Sequence, residues 1–259
     1  MDNNKEKVLF EDGTHKCVMF SFDDESHEDS FLSVNQYLII QNGEAVLIDP
    51  GSEAIFDELF EAVTKYVDAE HIKFIFFSHQ DPDVSGSISQ WAISTRAKFI
   101  LSALWVRFMS HYGFMEMDRV ISLPDHGAKL NFGKNYLKFL PAHFLHSPGN
   151  FSLYDSASKI VFSGDIGAAI VESVQDYKKV ENFDEHKEHL YGFHRRYMGS
   201  NKLCRAWVSK VEELDVDKIA PQHGLIFEDD NVGNFLEWLK ELKCGSDFLE
   251  ELYYGKKMV

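Results

Sequence analysis

The sequence predicts an α/β fold in which two β-sheets pack face to face and helices cover both outer faces. Three observations point to it. Each half of the chain runs strands first and helices afterwards, the apolar runs are short and rich in β-branched and aromatic residues, and no Pro-, Gly- or Ser-rich linker separates the halves. A single domain over residues 1–259 is therefore expected. With 259 residues, 44% hydrophobic and 14% aromatic, the chain can fill such a core, which excludes a disordered or fibrous protein.

The first strands are expected at residues 17–22, 37–40 and 45–48, with Asn42-Gly43 as a two-residue hairpin turn between the last two. Ile55, Leu59, Phe60 and Val63 share one face of a helix over 53–66. The apolar run from Ile72 to Phe77, broken only by Lys73, reads as a strand covered on both faces. Helix 85–94, strand 98–101, helix 102–112 and strand 119–123 follow, with Trp91 and Trp105 on apolar helix faces. The second half has strands at 129–132, 136–140, 151–154 and 160–162, the last two joined by a turn at Asp155-Ser156. A polar helical insertion is expected over about 171–213, then a strand at 218–220. The C-terminal helix over 231–243 is amphipathic through Phe235, Leu236, Trp238, Leu239 and Leu242, and Gly245 is expected to close it.

Charge and composition narrow the function. There are 26 Lys+Arg against 42 Asp+Glu, a net charge of −16, the wrong sign for a nucleic-acid binder. No apolar run approaches the roughly 18–20 residues that span a bilayer, and the polar start Met1 to Lys7 leads into no signal-peptide core. No membrane association and a cytoplasmic location are expected. Cys17, Cys204 and Cys244 are too few and too scattered for a disulfide framework or a zinc knuckle, and read as free thiols.

The chemistry concentrates in Ser78-His79-Gln80-Asp81-Pro82-Asp83, directly after the buried strand. Three potential metal ligands at every second position, between a strand end and a helix, can face one cavity mouth. Pro82 stiffens the turn, and Gly86 lets the next helix approach closely. His146 (in Leu145-His146-Ser147-Pro148-Gly149), Asp165 (in Ser163-Gly164-Asp165) and His223 (in Gln222-His223-Gly224) also follow β-like runs and lie beside Gly or Pro. Glu185-His186-Lys187-Glu188-His189 reads instead as a solvated helical face, and His126-Gly127 as an ordinary loop.

The order His79-x-Asp81-x-Asp83, His146, Asp165, His223 resembles the metallo-β-lactamase superfamily, and more narrowly the diiron domain of flavodiiron proteins. The similarity covers nearly the whole chain, including Tyr37-Leu38-Ile39 and the stretch from Phe183 to Tyr197-Met198. It implies an αββα four-layer sandwich with two metal ions at the sheet ends. On the family pattern His79, Asp81 and His146 hold one ion, Asp83 and His223 the other, and Asp165 bridges them. Three carboxylates among six donors favour iron, with manganese or zinc as replacements on purification. Three flanking residues, His27, Tyr197 and His143, are candidate hydrogen-bond partners around the pocket.

The sequence departs from that pattern at three points. Asp81 stands where Glu is common, Val84 where a histidine often binds the second ion, and the chain stops at Val259 without a flavodoxin domain or a Gly-rich phosphate loop. No FMN is expected. Stand-alone chains of this kind resemble the oxygen-binding diiron proteins of bacterial chemotaxis systems. The resemblance thus implies a protein that binds dioxygen or nitric oxide and signals it to a chemotaxis partner. The alternatives are an O₂ or NO reductase fed by an external electron donor and a metal-dependent hydrolase. A homodimer is an expectation from the resemblance alone.

Overall fold

Strand β2 (His15–Phe22) shows how one sequence serves two cores. Cys17 and Met19 face the gap between the sheets, while Val18, Phe20 and Phe22 face outwards under helices. Successive side chains of a strand alternate in this way, so a strand covered on both faces reads as a continuous apolar run. The computed structural model describes residues 6–22, 34–170 and 179–255.

The first sheet contains β1 (Glu6–Asp12), β2, β3 (Val34–Gln41), β4 (Glu44–Ile48), β5 (Ile72–Phe76), β6 (Lys98–Ser102) and β7 (Val120–Leu123), in that spatial order. The second contains β8 (Ala128–Phe132), β9 (Asn135–Pro141), β10 (Phe151–Asp155), β11 (Ile160–Gly164), β12 (Lys218–Pro221) and β13 (Phe227–Glu228), ordered β13-β12-β11-β10-β9-β8. Tyr37, Ile39, Val46, Ile48, Phe76, Phe139, Leu153 and Phe162 fill the space between the sheets. Outside the first sheet, α1 (Phe56–Thr64) and α3 (Ile88–Ser94) bury Leu59, Val63, Ile88 and Trp91. Outside the second, α4 (Phe183–Tyr197), α5 (Asn201–Glu212) and α6 (Asp230–Glu241) bury Leu190, Trp207, Val211, Phe235 and Leu239. The layers are therefore αββα. Among the described residues, no helix is long and apolar enough to cross a membrane.

Several expectations are met closely. Asn42 (φ 53°) and Gly43 (φ 81°) form the hairpin turn, with Gln41 opposite Glu44. A Cβ on Gly86 would sit 3.2 Å from Ser52 Cα, so the glycine does permit close packing. The helical part of the 171–213 segment is α4 and α5; residues 171–178 lie outside the described residues.

Other elements differ. β1 is an unanticipated edge strand, because its polar, weakly alternating residues have only one side to bury. The expected helix 102–112 is a 3-10 stretch, Val106–Tyr112, ended by Gly113 at φ 76°. The expected helix 85–94 is two short pieces, α2 (Pro82–Ser85) and α3. Gly245 does not close α6, which ends at Glu241 with Leu242 already extended. It sits instead against the carbonyl oxygens of Met198 and Gly199, where a side chain would collide, and donates to Arg195 O at 2.9 Å. Its glycine is required by packing between segments. Trp91 is fully buried, whereas Trp105 and Trp238 are half-buried against the outer clusters.

Candidate metal centre

The parallel pairs β4–β5, β5–β6 and β11–β12 leave their carboxyl ends at one end of the sandwich, the place where open α/β sheets gather ligand-binding loops. His79 and Asp81 follow β5, Asp165 follows β11, His223 follows β12, and His146 stands in the β9–β10 connection. Backbone bonds hold this end together, the first two between the sheets and the third between β11 and the residue after β12. Phe151 N–H donates to Ser78 O at 2.9 Å, Asn35 N–H to Gln222 O at 2.6 Å, and Gln222 N–H to Gly164 O at 2.9 Å. Gly164, at φ 61°, lets β11 pass Ser78, whose Oγ would lie 3.1 Å from an added Cβ.

These loops bring all six candidate donors to one pocket. Asp165 Oδ2 lies 2.9 Å from His146 Nε2 and 3.6 Å from His79 Nε2, and Asp81 Oδ2 lies 3.3 Å from His146 Nε2. The other oxygen, Asp165 Oδ1, lies 3.6 Å from His223 Nε2, which is 3.2 Å from Asp83 Oδ2. Neighbouring donors on an octahedral ion with bonds near 2.1 Å are about 3 Å apart. The two oxygens of one carboxylate thus face two donor groups of metal-ligand dimensions.

The polar accounting supports the same reading. His79 Nε2 and Asp165 Oδ1 are buried with no hydrogen-bond partner, although an unpaired buried polar atom costs free energy. Both aim into the pocket, where a cation would satisfy them. Burial disfavours charge on Asp165, but His79, His146 and His223 outweigh it and hold its carboxyl well below the ordinary carboxylate range. Burial likewise opposes charge on Asp81, and bonding to His146 with the field of His79 lowers it. Burial pulls His146 down, yet hydrogen bonds to Asp165 and Asp81 prevail and raise it to about 10. The pocket is a strongly negative field that attracts protons, and dications would compete for it. Donors, charge and orphaned atoms all fit a pair of hard cations. Val84 is fully buried within the outer hydrophobic cluster of the first sheet and offers the second group no donor.

Supporting residues fix the donors. Ser78 Oγ lies 2.9 Å from His79 Nδ1, which turns Nε2 towards the pocket. Ser78 N–H in turn donates to buried Asp49 Oδ1 at 2.7 Å. Burial pushes the Asp49 carboxyl up to about 6, against the pull of His79 and the Ser78 hydrogen bond. Gln222 Nε2 donates to Asp83 Oδ2 at 3.2 Å. His194, fully buried, accepts from Gly167 N–H at 2.9 Å and pins the Asp165 loop to α4. Asp49, Gln80, Gln222 and His194 escaped the sequence reading. Adjacency to a ligand would have found Gln80 and Gln222, but no local signal marks Asp49 or His194.

The flanking candidates separate. His143 is a brace: Nε2 donates to Asp125 O at 2.7 Å and Nδ1 accepts from Gly149 N–H at 3.1 Å. Tyr197 stacks on Phe193 (4.7 Å between centroids), and both rings stand edge-on to His146 at 6.1 and 6.3 Å. His27 lies outside the described residues. His186, expected on a solvated face, is buried against Phe227 (5.7 Å) while His189 is exposed. The helix rolls that side of the Glu/Lys run inward because Phe183 and Leu190 share its face. His126 is exposed, as expected.

A second cluster, His15, Cys17 and Asp155, lies at the far end of the sandwich and is buried. His15 Nε2 donates to Asp155 Oδ2 at 2.7 Å and Nδ1 donates to Gln41 Oε1 at 2.9 Å. Asp155 also accepts from the backbone N–H groups of Ala157 and Ser158 and from the Ser158 hydroxyl. This network is internally satisfied and ties one sheet to the other.

Four layers with a carboxylate- and histidine-lined pocket at the sheet ends define the metallo-β-lactamase class of fold. The family model described as ODP family beta lactamase matches residues 32–224, and the chain belongs to that family. A solved structure of the chemotaxis sensor ODP, in its peroxy diiron species, is 42% identical with a TM-score of 0.86 and covers 96% of this chain and 100% of that one. An uncharacterized protein of Methanocaldococcus jannaschii is 30% identical over 210 residues, 79% of this chain and 52% of that protein. The flavo-diiron protein FprA2 of Clostridium acetobutylicum is 27% identical over 201 residues, 75% of this chain and 49% of that protein. The chain spans about half the length of these two curated relatives.

Proposed function

We infer that this chain is a non-haem diiron protein that binds dioxygen as a signal. The observation that carries the reading is Asp165, whose two oxygens face two separate donor groups. The likeness to the chemotaxis sensor ODP over nearly the full chain supports the sensor role. On this reading His79, Asp81 and His146 would hold the first iron and Asp83 and His223 the second, with Asp165 available to both. Two ferrous ions, when bound, would supply the electron density that a diatomic ligand needs. The protein's part is positional. Ser78 orients His79, Gln222 orients Asp83, and His194 fixes the Asp165 loop. Val84, buried in the outer core, would leave the second ion short of a donor, and the Phe193–Tyr197 stack stands edge-on to His146. A chemotaxis signalling protein is the proposed listener.

A second reading, reduction of O₂ or NO with an external electron donor, is favoured by the flavo-diiron relative. One experiment separates the two. Metal-free protein is loaded anaerobically with ferrous iron, counted, and exposed to air. Two irons per chain and a visible charge-transfer band lasting minutes are expected, with both lost in Asp165→Asn. Prompt bleaching with steady turnover on rubredoxin would favour the reductase. Fewer than two irons would overturn both.

A further inference from the structure

Gln80 stands between two donors in sequence and between two donor loops in space. Its Nε2 donates to Asp81 Oδ1 at 2.8 Å, and its Oε1 accepts from Ser147 Oγ at 2.9 Å, next to His146. Its backbone oxygen is held by the Tyr112 hydroxyl at 2.8 Å. The two Asp81 oxygens are thereby divided. Oδ1 is taken by the amide, and Oδ2 alone turns to the pocket, 3.3 Å from His146 Nε2 and 3.9 Å from His79 Nε2.

The need for such a brace is visible in the exposure. The Asp81 side chain is 36% exposed, whereas that of Asp165 is 6%. A carboxylate rotates on a broad terminal torsion, so an exposed aspartate without a partner samples one-oxygen, two-oxygen and water-facing poses. Asp83 is held differently, since Gln222 bonds the same oxygen that faces His223. Of these two aspartates, Asp81 is the one whose amide partner takes the oxygen that does not face the pocket.

We propose that Gln80 is a positioning residue that holds Asp81 as a one-oxygen donor and sets the affinity of the first ion independently of the second. The proposal rests on the two-ion reading above. Through Ser147, whose hydroxyl is shared between Gln80 Oε1 and Asn150 Oδ1, the same amide links the orientation of Asp81 to the loop carrying His146, so two of the donors of one ion share a brace. Partners of metal ligands typically change affinity by about 10–100-fold when removed.

The test is binding of Mn²⁺ to metal-free protein in competition with a fluorescent chelator, which resolves the two affinities and reads no activity. Gln80→Met removes both side-chain hydrogen bonds at similar volume. Gln80→Glu keeps an acceptor for Ser147 but turns an oxygen towards Asp81. Each should weaken one ion by about 10–100-fold and leave the other within experimental scatter. Two ions weakened in step, or neither weakened, overturns the proposal. A variant that fails to fold overturns it as well, because Gln80 would then be structural. Wild-type protein that binds fewer than two ions removes the two-ion reading itself. Two ions in wild type with unaltered affinities in Gln80→Met remove only the role of Gln80.

Discussion

Acid should loosen this protein through His194, a residue outside the candidate donor set. The imidazole is fully buried, with Nδ1 donating to Leu190 O and Nε2 accepting from Gly167 N–H, both at 2.9 Å. A second proton would face an N–H and find no acceptor. Burial pushes its pKa from 6.5 down to about 4. The unfolded chain therefore binds one more proton than the folded chain between those values. The stability contributed is complete above the unfolded value and is lost as pH falls towards the folded one. At about 1.4 kcal/mol per pKa unit, the loss between roughly pH 7 and roughly pH 5 is about 2 kcal/mol. Urea unfolding of metal-free wild type and His194→Gln across that range isolates the effect, because the other titrating groups are common to both. Wild type should lose about 2 kcal/mol more than the variant on acidification. Equal pH slopes would refute the reasoning. Because Gly167 lies two residues after Asp165, protonation should also release the Asp165 loop.

At the opposite end of the sandwich, Asp155→Asn should cost about 3–5 kcal/mol in urea unfolding, since it leaves His15 buried beside a lost charge. Replacing both partners with leucine should recover most of that loss, and a single-variant cost below about 1 kcal/mol would show that the pair is not buried in solution. The three cysteines are buried. The Cys204 thiol is raised by its Cys244 neighbour and by burial, and Cys17 by burial and Asp155. Ellman's reagent should label none of them in the folded protein and all three in denaturant.

The main strands and the candidate donors that the structure gathers were legible because each is written locally. Ile72 to Phe77 is apolar enough to be a strand covered on both faces, and His79-x-Asp81-x-Asp83 directly follows it. Elements whose form depends on distant partners were not. β1 is held by pairing with β2, so its polar sequence carries little periodic signal. The 102–112 segment has helix-like spacing but must turn tightly, with Trp105 Nε1 bonded to Pro148 O at 2.8 Å. His186 carries the neighbours of a surface residue and is drawn inside by Phe227.

By itself the amino-acid sequence determined the layer pattern, the acidic surface and the types and order of six candidate ligands, because side-chain period and residue chemistry are properties of short segments. Only the tertiary structure decided that Asp165 turns one oxygen to each donor group. It alone made His143 a loop brace and gave Gln80, Gln222, Asp49 and His194 their orienting contacts. Those outcomes depend on where loops separated by tens of residues meet once two sheets close on each other, and no local pattern encodes a distance across that gap.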